Sequence, residues 1–216
     1  MRSLPALLFA LALGACANPG VDPAPPPADA PAEAPPGEPV AAPDFDGPAW
    51  LAAVEAAPDD AALVALSETL LDALDWRTAC GEDDPTSPRR GIVEVHHLGD
   101  GLDIAGVTCE TFAYQSVFAI VSVPPDAAPR LVRARLVGED GQPSENTSES
   151  FLGLLSAGAV PGTFEVFTKS AGHGGCGTDA RYALQPDGSA TVVQVRANDC
   201  TAPVSPDEWP VTFSAE

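Results

Sequence analysis

From residue 92 to the C-terminus, apolar and polar residues alternate in short runs bounded by glycine, proline, asparagine and aspartate. A period of two sends successive side chains to opposite faces of an extended chain, so each run predicts a strand. The runs are IVEVHHL, GLDIAGVTC, TFAYQSVFAIVSV, RLVRARLV, TFEVFT, ARYALQ, ATVVQVRA and a short PVTFSA. Across 112–123 both parities are apolar, which predicts a central strand covered on both faces. In RLVRARLV, Arg133 and Arg135 share one face while Val132, Ala134 and Leu136 share the other, predicting a half-exposed strand. HLGDGLD and QPDGSA predict hairpin turns, because aspartate-glycine accepts the positive φ that two-residue turns require.

Upstream the period lengthens. Leu63, Leu66, Leu70 and Leu74 recur at the spacing of one helix face, and Asp59 and Asp60 after Pro58 suit the N-cap and first turn. AWLAAVEAA predicts a second, shorter helix before it. The leucine stripe is expected to pack against the domain. The fold class that follows is mainly β, α+β overall: a helical lead-in over residues 49–76, then an antiparallel β domain with disulfides over 77–216. No repeat of 20 to 50 residues is visible.

The N-terminus reads as a targeting signal. MRSLPALLFALALGAC carries one basic residue, Arg2, then an apolar run too short to span a bilayer and ending in small residues. LGAC resembles the lipobox of bacterial lipoproteins, which makes 1–15 a signal peptide and Cys16 the lipidated first residue of the mature chain. Lipoprotein modification supplies more than one acyl chain, enough for stable anchoring. Ala17 in place of an aspartate is compatible with export to the outer membrane in enteric bacteria. Residues 17–48 hold eleven prolines and few large apolar side chains, so 16–48 reads as an extended tether. At 3.1 Å per residue such a spacer reaches roughly 100 Å.

About 168 residues remain for one ordinary domain. The formal charge is -21, and Lys169 is the only lysine. An acidic surface repels phosphate backbones and anionic lipid, which excludes nucleic acid as an expected partner and leaves the lipid anchor as the membrane contact. After Cys16 the cysteines number four, Cys80, Cys109, Cys176 and Cys200, and in an exported chain disulfides are expected. A hairpin turning at Asp187 and Gly188 brings Cys176 opposite residue 199 or 200, so Cys176–Cys200 is the expected bridge, with Cys80–Cys109 by elimination.

The glycine-rich KSAGHGGCG (169–177) then reads as a tight corner rather than a reactive site, since a disulfide-bonded cysteine offers no thiolate. FTKSAGHGGCG, with the following hairpin, a further cysteine and a late Trp-Pro, resembles the C-terminal part of the domain of unknown function family numbered 1176. CETFAYQ resembles that family's cysteine followed by Ala-Tyr-Asn, and DWRTAC its beginning. The likeness covers residues 75–213, with Lys169, Gly172, Gly174, Cys176, Gly177, Trp209 and Pro210 in register. Ala171 and Gly175 stand where the family has arginine and aspartate, so any role of those side chains is absent here. The resemblance implies an envelope or periplasmic address and supplies no catalytic residues.

Other chemistry has less support than ordinary surface positions. His96, His97, His173 and a reduced Cys176 are the residue types of a zinc site, but His96 and His97, adjacent on a strand, face opposite ways. A His173–Cys176 nucleophilic pair lacks an orienting third group, and neither a GxSxG elbow, a phosphate-binding glycine loop nor HExxH occurs. The acidic stretches GEDDPTSP and GEDGQPSENTSES lack calcium-loop spacing and read as solvated charge. Arg130, Arg133 and Arg135 form one basic cluster, suited to ion pairing or to an anionic glycan or acidic partner. The expectation is a lipid-anchored bacterial envelope protein with neither metal nor cofactor, acting as a binding or structural module with an envelope protein or glycan as partner. The alternative is an envelope enzyme or metal-dependent protein using His173 and Cys176.

Overall fold

A strand with no polar face has to be covered twice, and this sets the layering. In the computed structural model, which describes residues 45–74, 80, 91, 93–99, 101–172, 174–202 and 204–215, strand β3 (Ser116–Ser122) turns Phe118 and Ile120 into one core and Val121, with the following Val123, into another. Its hairpin partner β2 (Leu102–Thr111) divides likewise, with Ile104 in the first core and Ala105 and Val107 in the second. Two helices cover the second core. They are α1 (Gly47–Glu55), which contributes Trp50, Leu51 and Val54, and α2 (Asp60–Asp72), which contributes Leu70 and Leu71.

Both helices start where their capping residues dictate. Asp46 Oδ1 accepts from the Ala49 amide at 3.0 Å, so α1 begins at Gly47, two residues ahead of the expected boundary. Asp59 Oδ1 accepts from the Ala62 amide at 2.9 Å, as the sequence predicts. Of the leucine stripe, Leu70 is fully buried and Leu63, Leu66 and Leu74 pack at the edge of the core. Each fully buried leucine contributes roughly 1.5–3 kcal/mol. The Trp50 indole donates to the Leu66 carbonyl at 2.9 Å and locks the helices together.

The first core is closed by a second group of strands. β1 (Val93–Gly99), β2, β3 and β4 (Arg130–Leu131) pair on the helix side; β7 (Ser150–Ala157) joins β3 to β8 (Thr163–Lys169), β9 (Gly177–Leu184), β10 (Ser189–Asn198), β5 (Arg133–Val137) and β6 (Pro143–Ser148). β11 (Val211–Ser214) pairs with β10. Among the described residues only β5 and β10 pair in parallel; the other pairings are antiparallel. Phe118, Phe151, Phe164 and Tyr182 form a connected aromatic series between the layers. The mainly β expectation holds.

Three local expectations need correction. The run 112–123 is not one strand: residues 112–115 turn, closed by the Phe112 amide on the Gln115 carbonyl at 2.9 Å, and β3 starts at Ser116. RLVRARLV divides into β4 on β3 and β5 on β10 and β6, and a bulge between Arg135 and Val137 leaves Leu136 exposed. PSENTS, expected as solvated loop, forms β6. Cys16, Trp76, GEDDPTSP and His173 lie outside the described residues.

The C-terminal hairpin matches its expected register. Gly188 has φ 85° at the turn, and Ala190 lies opposite Leu184. A bulge between Val192 and Gln194 shifts the register by one residue, and Asn198 ends opposite Gly177. Cys176 and Cys200 stand just beyond this last pair, bridged with Cα atoms 5.1 Å apart; the second bridge is Cys80–Cys109. The bridge spans a sequence separation of 24, and in the chain-entropy account such a loop contributes about 3 kcal/mol. Replacing Cys176 and Cys200 together by serine is therefore expected to lower the unfolding free energy by about 3 kcal/mol in urea denaturation. An unchanged midpoint would show that the corner stands without its bridge.

Candidate functional site at the glycine-rich corner

Two glycines are required where β8 turns into β9. Gly174 has φ 69° and its amide donates to the Ala171 carbonyl at 3.0 Å, making the tight turn. Gly177 has φ 141°, and a Cβ there would stand 2.0 Å from the Thr168 carbonyl oxygen. The corner is bound from its other side as well. The Asn198 side-chain amide donates to the Gly175 carbonyl at 2.8 Å and to the Ala202 carbonyl at 3.0 Å. Trp209, 1% exposed, lies 5.4 Å from the Phe167 ring with its indole nitrogen donating to the Val204 carbonyl. The Arg196 guanidinium donates to the carbonyls of Asp207 and Trp209, so residues 204–210 cover the outer face of β8 to β10. The Cys176 sulfur, buried in its disulfide, is no nucleophile.

Against this corner sits the 112–115 turn. Gln115 Oε1 accepts from the Lys169 amide at 2.9 Å, and the Lys169 ammonium donates to the Tyr114 carbonyl at 3.4 Å. The Tyr114 ring lies on Gly172 so closely that a Cβ there would come within 3.0 Å of it. One side of the ring is thereby pinned, yet Tyr114 is 64% exposed and Phe112 48%. Outward-facing Leu152 and Leu154 of β7 are exposed too, and the Thr168 hydroxyl ties β8 to the Leu152 carbonyl at 2.8 Å. Lys169 makes no ion pair among the described residues.

This ledge brings together CETFAYQ and KSAGHGGCG, far apart in sequence, but through residues that sequence reasoning placed in a covered strand. TFAYQ lacks the glycine, proline, asparagine or aspartate that marks a turn, so its only signal is two aromatics two positions apart.

The other candidates are dispersed. His97 faces α1: its Nδ1 lies 2.6 Å from Asp103 Oδ1 and its Nε2 3.1 Å from Glu55 Oε1. Satisfying both carboxylates takes an imidazolium, and the hydrogen bond to Asp103, with Coulombic help from Asp103 and Glu55, raises the His97 pKa. His96 points to the opposite face; its Nε2 is buried without a hydrogen bond, and burial lowers its pKa. Two carboxylates on opposite nitrogens of one ring do not form a chelate, and among the described residues no group of three histidine, cysteine or acidic side chains is placed to hold a metal.

The arginines do not act as one cluster. Arg133 donates from Nε and Nη2 to Glu149 Oε1 at 3.1 and 2.6 Å. Arg130 belongs to β4 and stands near Asp187, whose carboxyl is held below its ordinary range chiefly by the hydroxyl and amide of Ser189. Arg135 is exposed, and its carbonyl accepts from the Tyr182 hydroxyl at 3.3 Å. Elsewhere, Arg181 pairs with Glu165 at 2.7 Å, while burial, reinforced by Glu165, raises the Asp179 pKa. In the second acidic stretch, Asp140 accepts from the Gln142 amide at 3.0 Å within a turn.

His97 gives a signed pH prediction. Its folded pKa lies above the ordinary 6.5, so the stability it adds is complete below pH 6.5 and disappears as the pH rises through the folded value. The stability difference between the native chain and His97→Gln is expected to be largest below pH 6.5 and to shrink above it. A difference independent of pH in denaturation titrations would contradict the charged bridge.

No family model matches the chain, and no match is found among curated proteins or solved structures.

Proposed function

We propose that this chain is a lipid-anchored protein of the bacterial cell envelope whose β domain is a non-catalytic binding module, with the Phe112–Tyr114 ledge as its contact surface. The observation that carries the reading is the Tyr114 ring, pinned on Gly172 and open on its other side. Among the described residues the other large aromatics are buried or half-buried, so the exposure of Phe112 and Tyr114 stands apart. Aromatic side chains held rigid at a surface add contact area at little entropic cost on binding. The alternative, an enzyme using His173 and Cys176, loses its nucleophile to the Cys176–Cys200 bridge.

The address rests on the sequence. The lipobox at Cys16 supports anchoring, most simply in the outer membrane with the domain facing the periplasm or the cell surface. The tether supports a domain working at a distance from that membrane. Membership in the family numbered 1176 is part of the same proposal, supported by Lys169, Gly172, Gly174, Cys176, Gly177, Trp209 and Pro210. Ion pairing of Arg133 with Glu149 favours the ledge over the arginines as the contact surface.

Two experiments test the reading. Cys16→Ser is expected to abolish palmitate labelling and release the protein from the membrane fraction; retention of both would refute the anchor. A benzophenone amino acid at position 112 is expected to capture a partner in living cells, and the same group at exposed Val160 is not. Equal capture at both positions, or none at 112, would sink the ledge as the contact surface.

A further inference from the structure

We infer that the Tyr114–Lys169 platform binds a carboxylated sugar, such as a uronic acid residue of an acidic glycan, an inference that rests on the ledge being the contact surface. The first argument is charge. In a chain with 31 acidic residues, Arg133 and Arg181 are each matched to a glutamate, whereas among the described residues the ammonium of the sole lysine meets only a backbone carbonyl. A carbonyl is a weak partner for a full positive charge, so Lys169 has capacity for an incoming carboxylate. The second argument is shape. Tyr114 rests on Gly172, and its exposed side offers a flat apolar surface beside that cation.

A ligand that uses both features needs an apolar flat face with an anion on its rim. A pyranose presents its C–H face to an aromatic ring, and a uronic acid adds a carboxylate at the ring edge, within reach of an ammonium bonded to the same residue's carbonyl. The Tyr114 hydroxyl and the Gln115 side-chain amide add hydrogen-bonding groups at the rim for sugar hydroxyls. An acidic peptide would use the cation without needing the flat ring. An anionic lipid headgroup would likewise use the cation but presents no flat C–H face to the ring. One ring and one cation predict weak affinity per site, which many membrane-anchored copies on one polymer would raise by avidity.

The test titrates the mature lipidated chain in detergent micelles with trigalacturonate, maltotriose, pentaglutamate and glycerol phosphate, the soluble headgroup of an anionic lipid, read by calorimetry and by NMR shifts of the ledge residues. Trigalacturonate is expected to bind best and more weakly at high salt. Lys169→Gln should weaken it about tenfold, Tyr114→Ala should abolish it, and Tyr114→Phe should retain it. Equal binding of maltotriose, of pentaglutamate or of glycerol phosphate overturns the inference, as does an unchanged Lys169→Gln or no binding by any probe. If the sugars fail while a benzophenone at 112 still captures a partner, the ligand class falls and the contact surface stands. If both fail, both fall.

Discussion

The structure depends on β3 having no face that water tolerates. Phe118 and Ile120 on one side and Val121 and Val123 on the other are all buried, so the strand needs a cover on each face. The helices supply one cover and the strands from β5 to β10 the other. The same demand spreads to β2, whose Ile104 and Val107 divide between the two cores. Close packing sets its own condition there, since a Cβ at Gly106 would come within 2.7 Å of Leu155. The helical lead-in is thus part of the hydrophobic structure rather than an appendage, and Trp50 bonding the Leu66 carbonyl keeps its two halves in one orientation.

A second constraint holds the far end of the sheet. Gly177 lets β9 leave the corner so close to Thr168 that no side chain fits between them. The Cys176–Cys200 bridge then ties the corner to the end of β10, and Trp209 closes over Phe167. With these fixed, Gly172 has a defined position, and the Tyr114 ring can rest against it. Exposure alone would make Tyr114 unremarkable, because much of any protein surface is apolar. Exposure together with a rigid backing is what separates a binding platform from an incidental surface ring.

Much of this could be read in the sequence wherever local chemistry decides local structure. Asp59 capped the helix it was expected to cap, and Asp-Gly at 187–188 set a hairpin whose register carried Cys176 to Cys200. The misses have physical causes. β6, with sequence PSENTS, has no apolar face because it lies at the end of the strand order, where one edge and much of its surface meet solvent. SFLGLLSA hides its period because Phe151 faces the core while Leu152 and Leu154 face outward, so both parities look apolar. Leu136 leaves its expected face through a bulge, which no composition rule announces. The ledge was hidden for a deeper reason: its defining contact joins Tyr114 to Gly172 across the sheet, and neither residue alone signals it.

Charge completes the argument for where recognition belongs. In a domain this acidic, three of the six cations among the described residues have a structural use: Arg133 holds Glu149, Arg181 holds Glu165, and Arg196 holds the carbonyls that fasten the C-terminal segment. Ion pairs of that kind, at partly exposed positions, add little stability individually. They do remove the guanidinium groups from easy exchange with a ligand. Lys169 differs because its backbone amide is held by Gln115 while, among the described residues, its ammonium meets only a carbonyl. The backbone at Lys169 is therefore fixed by the fold, and its ammonium makes no ion pair among the described residues. That combination, beside a ring open on one side, places a cation that makes no ion pair among the described residues at the same corner that its glycines and disulfide make rigid.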